Sequence, residues 1–231
     1  MSGEPLLRAE GLVGGYGDID VVRDLSFELK AGQTLCIVGR NGVGKTTLMR
    51  MLAGHLAKAR GSLWFRGERI DALAPFRRHR LGIAYAPQEN VAFSTLSVAE
   101  NLALLHRDRS LRRYETLFAT FPRMAERLKQ RAGDLSGGER KILSFCRALG
   151  ESLPLTALDE PTEGVQAENI DRMASVIRAR AASGASFVIV EQNLTLVTEI
   201  ADSVLVMDHG VITSRFASRP SREELASLLA I

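Results

Sequence analysis

Lys45 and Thr46 close the run Gly39-Arg40-Asn41-Gly42-Val43-Gly44-Lys45-Thr46-Thr47, which fits the pattern G-x-x-x-x-G-K-[ST] at every fixed position. Residues this small allow successive backbone N–H groups to wrap an anion, and a following helix adds its own N–H groups and partial positive charge. Polyphosphate is the natural guest. Lys45 would reach the β- and γ-phosphate oxygens, and the Thr46 hydroxyl would be a ligand to Mg²⁺. A second constellation follows far along the chain, where the apolar stretch Leu153 to Leu158 ends in Asp159 and Glu160 before Pro161. Neighbouring side chains on a strand point to opposite faces, so the two carboxylates can take different tasks. Asp159 would hold Mg²⁺, directly or through water, and Glu160 would polarise an attacking water. Alone, an Asp-Glu pair before proline is a turn; beside a phosphate loop it is catalytic equipment.

Three further features point to the same ligand. In Leu135-Ser136-Gly137-Gly138-Glu139, Ser136 and Glu139 make a capping box that needs no function to be there. The two glycines destabilise a first helical turn by about 1 kcal/mol each relative to alanine, a cost that fits a backbone approached closely by a second phosphate surface. Tyr16, in the turn-rich stretch Gly14 to Asp18, is a candidate platform for a flat base, although a lone loop tyrosine is commonly a packing residue. Gln88 follows Pro87 at the end of a strand and leaves a polar amide there.

The elements that must position these groups alternate in type. Leu6 to Leu12, Val21 to Leu29, Thr34 to Val38, Ser62 to Phe65 and Gly82 to Ala86 read as strands, with a helix from the phosphate loop to near Leu56. From Ser97, itself in a capping box with Glu100, the pattern turns helical: Val98 to Leu105, Tyr114 to Phe121 and Met124 to Arg131, punctuated by Pro122 and Gly133. A long helix then runs from Ser136 through Ala148. Beyond the carboxylates come a helix from Ala167 to Ala182, a buried strand from Ser186 to Val190 with the loop Glu191-Gln192-Asn193, strands at Val204 to Asp208 and Val211 to Arg215, and a final helix capped at Ser221.

The 231 residues, 45% hydrophobic, are enough to bury one α/β core with a small inserted unit. A net charge of +3 is mild. The one basic cluster, Arg77-Arg78-His79-Arg80, reads as a solvated face, since it lacks the length and aromatic interleaving of a nucleic-acid surface. Cys36 and Cys146 have no metal-ligand spacing and read as reduced core thiols. Neither a membrane span of roughly 20 apolar residues nor a signal sequence in Met1 to Glu10 is expected.

Taken together, Tyr16, the phosphate loop, Gln88, Leu135 to Glu139 and Leu158-Asp159-Glu160-Pro161-Thr162 resemble the nucleotide-binding subunit of ATP-binding-cassette (ABC) transporters, in the family's order and over nearly the whole chain. Finer features resemble the second ATPase subunit of branched-chain amino acid, urea and short-amide importers: Phe121 to Arg127, Gln130 to Gly133, Glu160 to Gln166, and Val190 to Asn193. The resemblance implies a P-loop NTPase fold, with a RecA-like core, an N-terminal antiparallel β subdomain and an inserted α-helical subdomain at about 93–150, within a single domain over 1–231. It implies an ATPase that uses ATP and Mg²⁺. Gly39, Asn41, Gly42, Gly44, Lys45, Thr46 and Thr47 would bind the phosphates, Tyr16 the base, and Ser136, Gly137 and Gly138 the nucleotide of a second ATPase subunit, identical or related, in a head-to-tail dimer. Thr46, Gln88 and Asp159 would serve the metal, and Glu160, Lys45 and Gln192 catalysis. An integral-membrane permease would contact the insertion at about Phe93 to Asp134, a solute-binding protein would be an indirect partner, nucleic acid would not be one, and the chain would sit peripherally on the cytoplasmic side of the inner membrane.

Two positions depart from the family pattern. Gln192 stands where a histidine is common, and a glutamine can hydrogen-bond a γ-phosphate without carrying imidazolium charge. The expectation is a half site that binds ATP and hydrolyses it more slowly than a histidine-bearing one. Gln166 stands where many members have an aspartate that couples the two sites. The alternatives are a regulatory or weakly hydrolysing ATPase partner, and a soluble ABC ATPase outside transport, which usually carries tandem cassettes or long insertions.

Overall fold

The computed structural model describes residues 4–56, 59–89, 92–106 and 108–229. In chain order the elements are β1 (Leu7–Tyr16), β2 (Ile19–Leu29), β3 (Thr34–Val38), α1 (Lys45–Ala53), β4 (Ala59–Phe65), β5 (Glu68–Arg69), α2 (Pro75–Leu81), β6 (Ile83–Ala86), α3 (Val98–Ala103), α4 (Glu115–Thr120), α5 (Pro122–Glu126), α6 (Gly137–Gly150), β7 (Leu155–Asp159), α7 (Ala167–Ala182), β8 (Ser186–Glu191), α8 (Leu194–Ile200), β9 (Ser203–Asp208), β10 (Val211–Phe216) and α9 (Arg222–Leu229). They form a four-stranded sheet in the order β2-β1-β4-β5 and a six-stranded sheet in the order β10-β9-β3-β8-β7-β6. The first is antiparallel; in the second only β10 runs against its neighbour.

Strands buried on both faces explain the near-continuous apolar runs of the parallel sheet. Cys36 and Val38 of β3 join Phe187, Ile189 and Leu158 in a core shared with α6, α7 and α8. Leu35 and Ile37 point the other way, with Val188, Val190 and Ala157, into a core shared with α1 and the antiparallel sheet. The period-2 alternation thus glues both layers to one sheet. Its carboxyl edge collects the phosphate loop after β3, Asp159 at the end of β7, Glu191 at the end of β8 and Gln88 beyond β6. Between β6 and β7 the helices pack around Val98, Leu102, Tyr114, Phe121, Met124 and Phe145, and the buried Tyr114 hydroxyl donates to Leu102 O at 2.8 Å. Among the described residues no helix is long and apolar enough to cross a membrane.

Several expected bounds shift. β1 continues through Gly14, Gly15 and Tyr16, so the turn is confined to Gly17 and Asp18. α1 ends at Ala53 because Gly54 adopts the left-handed conformation and caps it, short of Leu56. Pro122 starts α5, where its missing N–H costs nothing, and that helix ends at Glu126, short of Arg131. The basic cluster is the larger correction. It forms α2, and Arg78 is buried, donating to the carbonyls of Met51, Leu52, Asp71 and Leu73 at 2.7–2.9 Å. An arginine has enough donors to satisfy the last carbonyls of α1, which no neutral side chain matches; burial lowers its pKa to about 10. Both cysteines are buried and free, and burial pushes the Cys146 thiol up to about 12.

Candidate functional site

Gly44 takes φ 106° at the N-cap of α1, a conformation open to glycine and closed to side-chain-bearing residues, and this turns the loop into the helix. Lys45, the first residue of α1, is buried and donates to the carbonyls of Gly39 at 2.8 Å and Arg40 at 2.9 Å. Its ammonium also lies 3.1 Å from Glu160 Oε1, in a pair whose side chains are almost wholly enclosed. Removing either partner would leave an uncompensated buried charge.

Glu160 is the centre of the site. Gln88 Nε2 donates to its Oε2 at 2.9 Å and Gln192 Nε2 to its Oε1 at 2.9 Å. Both carboxylate oxygens are therefore held by amides from loops that follow different strands. Gln192 Nε2 also donates to Asn41 Oδ1 in the phosphate loop at 2.6 Å. Asp159 faces elsewhere, as alternation requires: Thr46 Oγ1 lies 3.1 Å from its Oδ1, and the Tyr85 hydroxyl donates to its Oδ2 at 3.2 Å. Burial raises the Asp159 pKa to about 6, against the opposing effect of these two hydrogen bonds.

Thr46 Oγ1 is also 3.1 Å from Gln88 Oε1, so hydroxyl, amide and carboxylate oxygens converge. Hard oxygen donors of this kind suit Mg²⁺, which keeps several waters and needs only one or two carboxylates. Among the described residues no group of three or more histidine, cysteine or acidic side chains is arranged to hold a metal. The site fits a hard cation shared with phosphates and offers nothing to a soft one.

Tyr16 is half-exposed, and its hydroxyl accepts from Arg50 of α1 at 2.9 Å, which ties it to the phosphate-loop helix. Ser136, Gly137 and Gly138 are not brought to the phosphate loop. They line a separate cavity of about 890 Å³ with Lys141, Glu163 and Gln166, and neither Lys45 nor Thr46 reaches it. Both capping bonds of Ser136 and Glu139 form. The two glycines differ: a Cβ on Gly138 would stand 2.6 Å from Gly164 O, so packing within the chain accounts for it, whereas a Cβ on Gly137 would meet nothing within 4 Å.

Three residues that the site uses stand out little or not at all in the sequence. Glu191, buried at the end of β8, accepts from the Thr162 hydroxyl at 2.6 Å and from the backbone of Thr162, Gln192 and Asn193. It ties the turn after Glu160 to the loop bearing Gln192. A carboxylate closing the apolar run Phe187 to Val190 is its signal in the sequence. Tyr85 and Lys141 carried no such mark, because their partners are distant in sequence.

The family model "ABC transporter" matches residues 22–163 of this chain. The high-affinity branched-chain amino acid transport ATP-binding protein BraG of Pseudomonas aeruginosa is 35% identical over 201 residues, 85% of this chain and 86% of BraG. The probable branched-chain amino acid transport ATP-binding protein LivF of Archaeoglobus fulgidus is 30% identical, covering 89% of each chain. The lipopolysaccharide export system ATP-binding protein LptB of Acidithiobacillus ferridurans is also 30% identical, over 90% of this chain and 88% of LptB. In fold, the chain matches a nucleotide-free ATP-binding cassette from an ABC transporter with a TM-score of 0.80 at 24% identity, covering 99% of this chain and 96% of that one. An ATP-binding subunit of an ABC transporter matches with a TM-score of 0.84, covering 98% and 100%.

Proposed function

The chain belongs to the ABC transporter family and is an ATPase subunit of it, and from that premise we propose that it drives an importer of branched-chain amino acids, urea or related amides, as one half of a head-to-tail ATPase dimer. The observation that carries the hydrolytic part is the convergence of Lys45, Gln88 and Gln192 on the Glu160 carboxylate. Lys45 and the loop from Gly39 to Thr47 hold the β- and γ-phosphates, while Tyr16 offers its ring to the base. Thr46, Asp159 and Gln88 hold Mg²⁺, which when bound neutralises charge on the phosphate oxygens. Glu160 orients the attacking water and accepts its proton, its carboxylate plane set by the two amides. Ser136, Gly137 and Gly138 cover the phosphates bound to the other subunit.

The importer assignment is supported by BraG and LivF and by Gln192 together with Glu163-Gly164-Val165-Gln166. A permease has a place to engage: Phe76, Leu105, His79 and Tyr85 line a cavity of about 510 Å³ between the core and the helical insertion at about 93–150, and Phe76 and Leu105 are each 58% exposed. Contact there would place the subunit on the cytoplasmic face of the membrane.

Three experiments test this. Glu160→Gln should lower ATP turnover by about 10²–10⁴ and trap an ATP-bound dimer, while Lys45→Ala should abolish nucleotide binding; turnover surviving both substitutions would refute the assigned roles. Purification from native membranes should bring a permease with it, and loss of the chain should remove uptake of radiolabelled leucine or urea. Unchanged uptake of both solutes would refute the importer assignment.

A further inference from the structure

Glu160 carries a φ of 45°, a left-handed conformation that is uncommon for a residue with a side chain and persists only where its surroundings enforce it. Three hydrogen bonds do so. Its N–H donates to Val190 O at 3.0 Å, and its carbonyl accepts from Lys141 Nζ at 3.0 Å and, at a longer 3.4 Å, from the Glu163 N–H of the same turn. The first partner is the adjacent strand β8. The second comes from another layer, the second turn of α6. The Lys141 side chain is only 11% exposed, and its ammonium also lies 3.4 Å from Glu163 Oε2, which accepts from Gln88 at 3.2 Å. Lys141 thus joins the main chain of the base to a carboxylate that Gln88 also holds.

The position of Lys141 on α6 gives this contact its meaning. The same helix begins with Ser136, Gly137 and Gly138, and Lys141 lines the cavity those residues border. One side chain therefore touches the surface offered to the other subunit's nucleotide and the backbone of the base serving this subunit's own. We propose that Lys141 is a positioning residue that holds the Glu160 main chain in its left-handed conformation and transmits displacement of α6 to it, coupling the two half sites at a chain where Gln166 replaces the more usual aspartate. An ammonium suits the task, because a charge-assisted bond to a carbonyl is stronger than a neutral one. The transmission, though not the positioning, rests on the head-to-tail dimer proposed above. If Lys141 only packed α6 against the turn, its loss would lower stability and leave turnover per folded site unchanged.

The test is ATP hydrolysis by the full chain, with competent sites counted by trinitrophenyl-ATP binding. Lys141→Met should lower kcat per competent site by about tenfold and leave the KM for ATP within about twofold, since the phosphate loop is untouched. Lys141→Arg, which can donate to the same carbonyl, should recover kcat to within about threefold. The ATP-induced dimer of Glu160→Gln, followed by light scattering, should form at an ATP concentration within about threefold of that needed by Glu160→Gln/Lys141→Met, because closure precedes the step Lys141 serves. A kcat for Lys141→Met within about twofold of the wild type, or an arginine variant no better than the methionine one, would overturn the positioning role. Loss of the dimer in the double variant alone would overturn the placement of Lys141 after closure. Failure of Glu160→Gln itself to dimerise would refute the head-to-tail reading and with it the transmission, while the kcat and KM comparison still decides the positioning.

Discussion

The phosphate-loop face of this chain and the face bearing Ser136, Gly137 and Gly138, its signature face, satisfy their polar groups in opposite ways. On the first, Lys45, Asp159, Glu160 and Glu191 are all buried, and their charges are met by partners from four separate segments of the same chain, the phosphate loop, the end of β6, the turn after β7 and the loop after β8. On the second, a helix start is satisfied locally by Ser136 and Glu139, and the remaining groups border an open cavity. Buried charge contributes chemistry at a cost in stability; local capping contributes stability and leaves a surface to be covered. One face has its buried polar groups matched within the chain, and the other leaves a cavity open.

Asp159 gives the largest test of this contrast. Its folded pKa of about 6 exceeds the ordinary 3.8, so the folded state retains a proton that the unfolded chain releases. Stability contributed by this group therefore falls as pH rises from about 4 to about 6, and the full cost, on the order of 2–3 kcal/mol, is present above that window. Asp159→Asn should raise the melting temperature in chelator at pH 8, by an amount that shrinks towards pH 4, while lowering ATP turnover. A melting temperature that drops equally at both pH values would show that the carboxylate is not under burial stress. On the signature face the sign reverses: Ser136→Ala should lower stability by about 1 kcal/mol at every pH through loss of the cap.

The neighbouring glycines sharpen the contrast within one turn. Gly138→Ala forces a methyl towards Gly164 O and should destabilise the fold by about 1–3 kcal/mol. Gly137→Ala meets open space and should stabilise α6 by up to about 1 kcal/mol, yet slow hydrolysis by obstructing the partner's phosphates. Denaturation curves beside turnover rates separate the two; parallel losses of stability would remove the distinction.

What could be read before folding follows the same division. β3, the loop after it, α7 and the caps at Ser97, Ser136 and Ser221 depend on residues a few positions apart, and their signals stand in the sequence. Helix α2 did not, because its basic run looks like a solvated surface until Arg78 is seen closing the C-terminus of α1. Helix α8 was hidden by its shortness, and the roles of Glu191, Tyr85 and Lys141 by partners contributed from other strands and helices. Phosphate chemistry was legible from Lys45, Asp159 and Glu160; the amide clamp on Glu160 arises only when β6, β7 and β8 lie side by side.

That clamp is the smallest and most informative place to intervene. Gln192 donates at once to Glu160 and to Asn41, so it joins the base to the phosphate loop through one nitrogen. A histidine offers two nitrogens on a rigid ring, and donation from one to Glu160 turns the other away, so both present contacts cannot be reproduced. Its imidazolium form would place a positive charge beside the γ-phosphate that the amide lacks. If that charge limits turnover, Gln192→His in the assembled complex should raise kcat by about threefold to tenfold with a pH dependence near the imidazole pKa. An unchanged rate would mean that the amide's grip on Glu160, and not charge at the phosphate, sets the pace of this half site.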